Sequence, residues 1–237
     1  MPSQLPLDLP HAASLARDDL VVSPSNRLAI EAVDSWPHWR HSVLLIVGPP
    51  GAGKTHLANV WAERAGARTA EPGGLVARLA EPGFRIVVDD LDRSRLSETD
   101  LFSLVNAARL GAGSVLATSR TPPAGMAFVL SDLRSRLCAA TVAELGAPDD
   151  DLLAGVLVKL FADRQLDIAP RMVRYLAERM ERSLDSARRV VAAVDREALA
   201  SKERISTRLL KRVLDRESEA VRHQAVVPAR YPVATED

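Results

Sequence analysis

The run Val43–His56, VLLIVGPPGAGKTH, constrains this chain more than any other stretch. An apolar segment ends at Gly48, a loop of Gly and Pro follows, and the loop delivers Lys54 and Thr55 to a second apolar pattern, Leu57, Ala58, Val60 and Trp61. That order reads as a buried strand, a phosphate loop and the first turns of a helix. Gly48, Gly51 and Gly53 can take backbone angles closed to other residues, so successive N–H groups turn inward on a polyphosphate with no Cβ in the way. The phosphates then meet the positive end of the helix that begins near Gly53. Lys54 supplies a point charge to the β and γ phosphates, and the Thr55 hydroxyl is the expected Mg²⁺ ligand. A nucleotide is therefore the expected ligand.

Phe84–Asp92, FRIVVDDLD, carries the second half of that chemistry. Its β-branched run predicts a parallel strand buried on both faces. Ligands of open α/β sheets bind beyond the carboxyl ends of the strands, so Asp89 and Asp90 are expected beside the phosphate loop, at two neighbouring strand ends. Asp89 would hold Mg²⁺ through water, and Asp90 would orient the attacking water. A further strand, Ser114–Thr118, brings Thr118, Ser119 and Arg120 to the same edge before Pro122 and Pro123. A polar side chain there can sense a γ-phosphate, or simply form a Ser/Thr turn ahead of the prolines. The short helix Ser131–Leu137 holds Arg136, which is either solvated surface or a guanidinium offered to a neighbour's phosphate.

The 237 residues suffice for two domains. Lys plus Arg equal Asp plus Glu at 31 each, so no overall positive field steers the chain to nucleic acid or membrane. The one cysteine, Cys138, lies in an apolar run and reads as a core residue, which fits a reducing cytoplasm. No stretch approaches the length of a membrane span, and the five histidines form no ligand cluster. Ser25 is the expected N-cap of a helix whose apolar positions are Leu28, Ile30 and Val33. Strand signals stop at Gly146. A helix is expected to open at Ser97, with Asp100 three residues on as a short capping box. Further helices are expected over 149–164, 170–181, 183–200 and 206–217, the third capped by Ser183 with the apolar stripe Leu184, Ala187, Val191, Val194 and Ala198. The reading is thus a flexible tail over 1–17, an α/β domain with a parallel central sheet over 18–146, a small all-α lid over 147–217 and a disordered tail over 218–237. In the first tail Gln4, Leu5, Pro6, Leu7, Asp8 and Leu9 form an extended peptide, either frayed or suited to a pocket on another protein.

The order of these motifs resembles the AAA+ ATPases, and within them the DnaA lineage of replication initiators. The resemblance rests on VVSPSNRLA, GPPGAGKTH, IVVDD, ATSRTPP and LRSRL, and it spans roughly residues 18–216. Nothing after the lid has the pattern of a DNA-binding helix-turn-helix, and little room is left between Lys54 and Asp89 for the helical wedge that grips origin DNA. What remains is similar to the Hda-type members, which shut initiators off, and QLPLDL at residues 4–9 is similar to their sliding-clamp motif. The resemblance implies ADP or ATP with Mg²⁺ as cofactors and Asn26 near adenine. It places Pro50, Gly51, Ala52, Gly53, Lys54, Thr55 and His56 on the phosphates, and gives the metal to Thr55 and Asp89. It assigns sensing to Ser119 and an arginine finger acting on DnaA-bound ATP to Arg136. The partners implied are the polymerase sliding clamp (beta) and DnaA, with room for a homodimer or homo-oligomer and no direct sequence-specific DNA binding. The family's lid arginine should fall near residue 185, which is Asp185 here. Either Arg188 replaces it, or γ-phosphate sensing is lost and ADP is held as a structural ligand.

Overall fold

The five residues of strand β1 (Val43–Val47) are all buried, as in a strand of a sheet covered on both faces. In the computed structural model, which describes residues 20–226, β1 lies within a five-stranded sheet. Its other members are β2 (Arg68–Thr69), β3 (Phe84–Val88), β4 (Gly113–Ser119) and β5 (Thr141–Glu144), in the spatial order β2-β3-β4-β1-β5. The pairs β2/β3, β3/β4 and β4/β1 are parallel. The fold is α/β with a parallel central sheet, as expected. One expectation changes: β1 and β3 are not neighbours, because β4 runs between them. The period of a buried strand carries no information on lateral order, so the sequence pattern could not place β4 there.

The helices are α1 (Arg27–Asp34), α2 (Lys54–Ala65), α3 (Leu75–Leu79), α4 (Glu98–Arg109), α5 (Ser131–Cys138), α6 (Asp150–Asp163), α7 (Pro170–Ala177), α8 (Leu184–Ser201) and α9 (Thr207–Val226). Helix α4 starts where its cap signal lies: the Ser97 hydroxyl accepts the Asp100 N–H at 3.0 Å and donates to the Asp100 carboxylate at 2.7 Å. The Ser183 hydroxyl likewise accepts the Ser186 N–H at 3.0 Å and opens α8. Helix α9 continues to Val226, well past the expected end at Glu217. Gln4–Leu9 and the residues from 227 on lie outside the described residues.

By its contacts the chain divides into two units. The first comprises Ala29–Val47 and Lys54–Ala143, the second Val21–Leu28, Gly48–Gly53 and the chain from Glu144 on. The first unit's core joins Leu45, Ile86, Val115, Leu104 and Leu133 across the sheet and its helices. Beside it, Trp39 stacks on the fully buried Trp61 with centroids 5.2 Å apart, and Trp36 meets the same ring edge-on at 6.1 Å. Trp61 Nε1 is the one buried side-chain polar atom among the described residues without a hydrogen-bond partner. The second unit's core is helical, with Leu153, Leu157, Phe161, Val191, Val194 and Leu210 at its centre. The α8 stripe expected from its period, Leu184, Ala187, Val191, Val194 and Ala198, is buried throughout. Among the described residues no helix is long and apolar enough to cross a membrane.

Two local expectations are corrected. Cys138 is exposed, because α5 buries Leu133 and Leu137 and the next position turns away from that face. Ser25 does not cap α1, and Leu28 is exposed while Ala29, Ile30 and Val33 are buried. The Ser25 hydroxyl instead shares a 2.8 Å hydrogen bond with the Ser23 hydroxyl, and its N–H donates to Asp149 Oδ2 at 3.1 Å.

Candidate functional site

In the first unit the register sets Val88 against Ala117, so Asp89 falls level with Thr118 at the strand ends. The Thr118 hydroxyl is fully buried; it donates to Asp89 Oδ1 at 2.5 Å and accepts the Asp90 N–H at 2.9 Å. Asp90 takes a left-handed backbone, φ 47° and ψ 54°, which aspartate tolerates better than most side chains. That turn gives the two consecutive acids different directions. Asp89 receives the Thr55 hydroxyl at 3.0 and 3.2 Å, whereas Asp90 faces Arg120, with Nη2 to Oδ2 at 3.6 Å. The Arg120 N–H is held at 3.3 Å by Asp92 Oδ1.

Lys54, the first residue of α2, is 6% exposed. Burial pushes its pKa below the ordinary lysine value; the Asp90 carboxylate opposes this, Arg120 adds to it, and Asp92 and Asp89 oppose it more weakly. Its charged form is thus less favoured than in water, and an added anion would favour it. Thr55 and Asp89 bring a hydroxyl and a carboxylate together, which suits an octahedral cation completed by phosphate oxygens and water. Among the described residues no group of three or more His, Cys, Asp or Glu converges on a point, so an all-protein metal cage is absent there.

Ser119, expected to sense, is fully buried and engaged elsewhere. Its hydroxyl donates to the Thr121 carbonyl at 2.7 Å and accepts the Thr121 N–H at 3.0 Å, forming the turn that precedes the prolines. The hydroxyl that reaches both acids is that of Thr118. Sequence order alone favoured neither, since alternation along a strand tells which residues share a face but not which face meets the acids. Arg136, on α5, is half-buried, with its guanidinium 5.0 Å from the centroid of the Phe102 ring.

In the second unit the phosphate loop has the expected geometry at Gly51 and Gly53, with φ of 71° and 101°. The loop's glycines also serve packing. The Gly51 carbonyl accepts the Leu184 N–H at 2.8 Å, and a Cβ on Gly51 would lie 2.4 Å from the Ser183 Cβ. A Cβ on Gly53 would lie 2.9 Å from Leu184 Cδ1. The start of α8 therefore rests on this loop, a contact the sequence signalled only through the cap at Ser183. Pro50 is exposed, Ala52 buried, and His56 of α2, in the first unit, half-buried.

Asn26 turns both ends of its amide onto its own segment: Oδ1 accepts the Ser23 N–H and Nδ2 donates to the Val21 carbonyl, each at 2.8 Å. Asp149 caps α6 through the Leu152 N–H at 2.8 Å and anchors the same segment through Ser25. Burial alone would push the Asp149 carboxyl up. Hydrogen bonds from the Leu152 N–H, the Ser23 side chain and the N–H and side chain of Ser25 outweigh it and hold the group below its ordinary value. Arg188 lies 3.0 Å from Asp185, one turn earlier on α8.

No family model matches the chain. Among solved structures it resembles domain III of the replication initiation protein DnaA from Thermotoga maritima, with a TM-score of 0.73 at 17% identity over 85% of this chain and 95% of that one. A variant of RuvB from the same organism gives a TM-score of 0.67 at 20% identity, over 85% of this chain and 72% of that one. A replication initiator DnaA bound to AMPPCP and single-stranded DNA gives 0.64 at 17% identity, over 93% and 74%. At these identities the likeness is one of architecture: this chain has the α/β fold of the AAA+ ATPases, as found in DnaA.

Proposed function

We propose that this chain is a nucleotide-holding regulator of replication initiation of the Hda type, built on a DnaA-like fold. The observation that carries the nucleotide reading is Lys54, a buried cation at the head of the loop helix with Asp89, Asp90 and Thr55 beside it. A polyphosphate brings the further negative charge that offsets the burial of this ammonium. The AMPPCP carried by the similar DnaA supports the same ligand class here. On this reading Pro50 to His56 hold the phosphates of ADP or ATP, Thr55 and Asp89 hold Mg²⁺, and the segment shaped by Asn26 lies toward the adenine. Asp90 and Arg188 would complete the nucleotide's surroundings, while Ser119 stays in its turn with Thr121.

Residues 4–9 would dock on the sliding clamp in the cytoplasm, and Arg136 would reach the ATP bound to DnaA. Swinging off Phe102 is the movement this requires. Replacing Gln4 and Leu5 by alanine should abolish clamp binding and leave nucleotide affinity unchanged; undiminished clamp affinity would remove the tail from the scheme. Arg136→Ala should bind nucleotide and clamp normally yet lose most of the stimulation of DnaA, which for arginine fingers amounts to about 10³–10⁵-fold.

A second reading, a self-sufficient ATPase motor, draws support from the intact acid pair. It requires steady turnover by the purified protein that Asp90→Asn abolishes.

A further inference from the structure

Arg120 has no task in that scheme, and its position gives it one. It directly follows β4, its backbone N–H is held by Asp92, and its exposed guanidinium pairs with Asp90 at 3.6 Å. Asp89 is engaged by the Thr55 and Thr118 hydroxyls, whereas Asp90 has Arg120 as its ion-pair partner. We infer that Arg120 is an internal latch on Asp90, which suppresses the chain's own ATP hydrolysis and lets it hold nucleotide rather than spend it. The inference rests on the nucleotide reading and deepens it.

Hydrolysis needs a water oxygen to bond to the γ-phosphorus while the bond from that phosphorus to the β–γ bridging oxygen breaks. The products are ADP and inorganic phosphate, with one water proton passing to a carboxylate or phosphate oxygen. A carboxylate that orients this water must accept its hydrogen bond. The Arg120 guanidinium, 3.6 Å from Oδ2, forms an ion pair that competes with that water for the Asp90 carboxylate, and an arginine keeps its charge throughout. Both side chains are about two-fifths exposed, at 37% and 41%, so the latch is open to salt and to competing anions.

The test is single-turnover hydrolysis with protein in excess over Mg·ATP, together with calorimetric ATP affinity. Arg120→Ala, or Arg120→Gln should the first fold poorly, is expected to raise the rate about two- to fivefold, the range that an exposed ion pair can hold back. Adding Asp90→Asn should erase that gain. Raising salt should speed the native chain and not the Arg120 variants. A variant that binds ATP normally with an unchanged or slower rate overturns the latch while leaving the nucleotide reading intact. A native chain that binds neither ATP nor ADP overturns both.

Discussion

Two aspartate clusters, one in each unit, are built from the same materials and behave in opposite ways. Around Asp149, backbone N–H groups and serine hydroxyls all donate to the carboxylate, and its charged form is the favoured one. Around Asp89 and Asp90, hydroxyl, guanidinium and ammonium groups crowd together, and the cation at the centre is held below its ordinary pKa by burial. The first arrangement is complete without a ligand. In the second, burial disfavours the Lys54 charge while the neighbouring carboxylates favour it. The two clusters thus differ in whether the fold stabilises or disfavours the charge at their centre, not in the residue types they contain.

The strongest way to break the comparison is at Lys54. Lys54→Met should weaken nucleotide binding about 100-fold, since a charge-assisted hydrogen bond contributes about 1.5–3 kcal/mol and each 1.4 kcal/mol is tenfold. The empty protein should not lose stability at pH 7. The folded lysine's pKa lies below the unfolded one, so the unfolded chain holds the proton more firmly, and the native protein gains stability as pH rises between the two values. Calorimetry, with urea unfolding at neutral and alkaline pH, checks both halves. A variant that unfolds readily at pH 7 would make Lys54 a structural group like Asp149.

Thr118→Val should follow with a loss of about 1–3 kcal/mol, because it strips the Asp90 N–H and Asp89 Oδ1 of a buried partner. Ser119→Ala, whose partners lie only in the next turn, should lose less in the same denaturant series. Equal losses would show that the two hydroxyls share one role.

The smallest change is expected at Asp149, where Asp149→Ala should remove about 1 kcal/mol at pH 7, the usual value of a helix cap. Because the folded carboxyl is depressed, its contribution is present above the unfolded pKa and fades as pH falls through the folded value. The gap between native and variant stability should therefore close below about pH 4. A gap that persists into acid would assign it to packing instead of charge.

The sheet strands, the phosphate loop, the capped starts of α4 and α8 and the α8 stripe were legible because each is a local pattern with its own period or terminal signal. The lateral order of the strands was not, and with it went the role of Thr118, which depends on β4 passing between β1 and β3. The Asp149 tie to residues 21–28 joins segments more than a hundred residues apart, and no window of sequence shows that. Likewise, Gly51 and Gly53 announced a phosphate loop but not the helix start that packs on it. Cys138 misled because an apolar neighbourhood in sequence is not a buried face.

The tryptophan trio has a practical consequence. All three indoles of the chain belong to the first unit, where Trp36 and Trp39 flank the enclosed Trp61. Intrinsic fluorescence excited at the red edge of absorption will thus follow that unit and be silent to the helices after Glu144, whereas far-ultraviolet dichroism follows both. Any separation between the two melting curves would measure directly how independently the parts come undone.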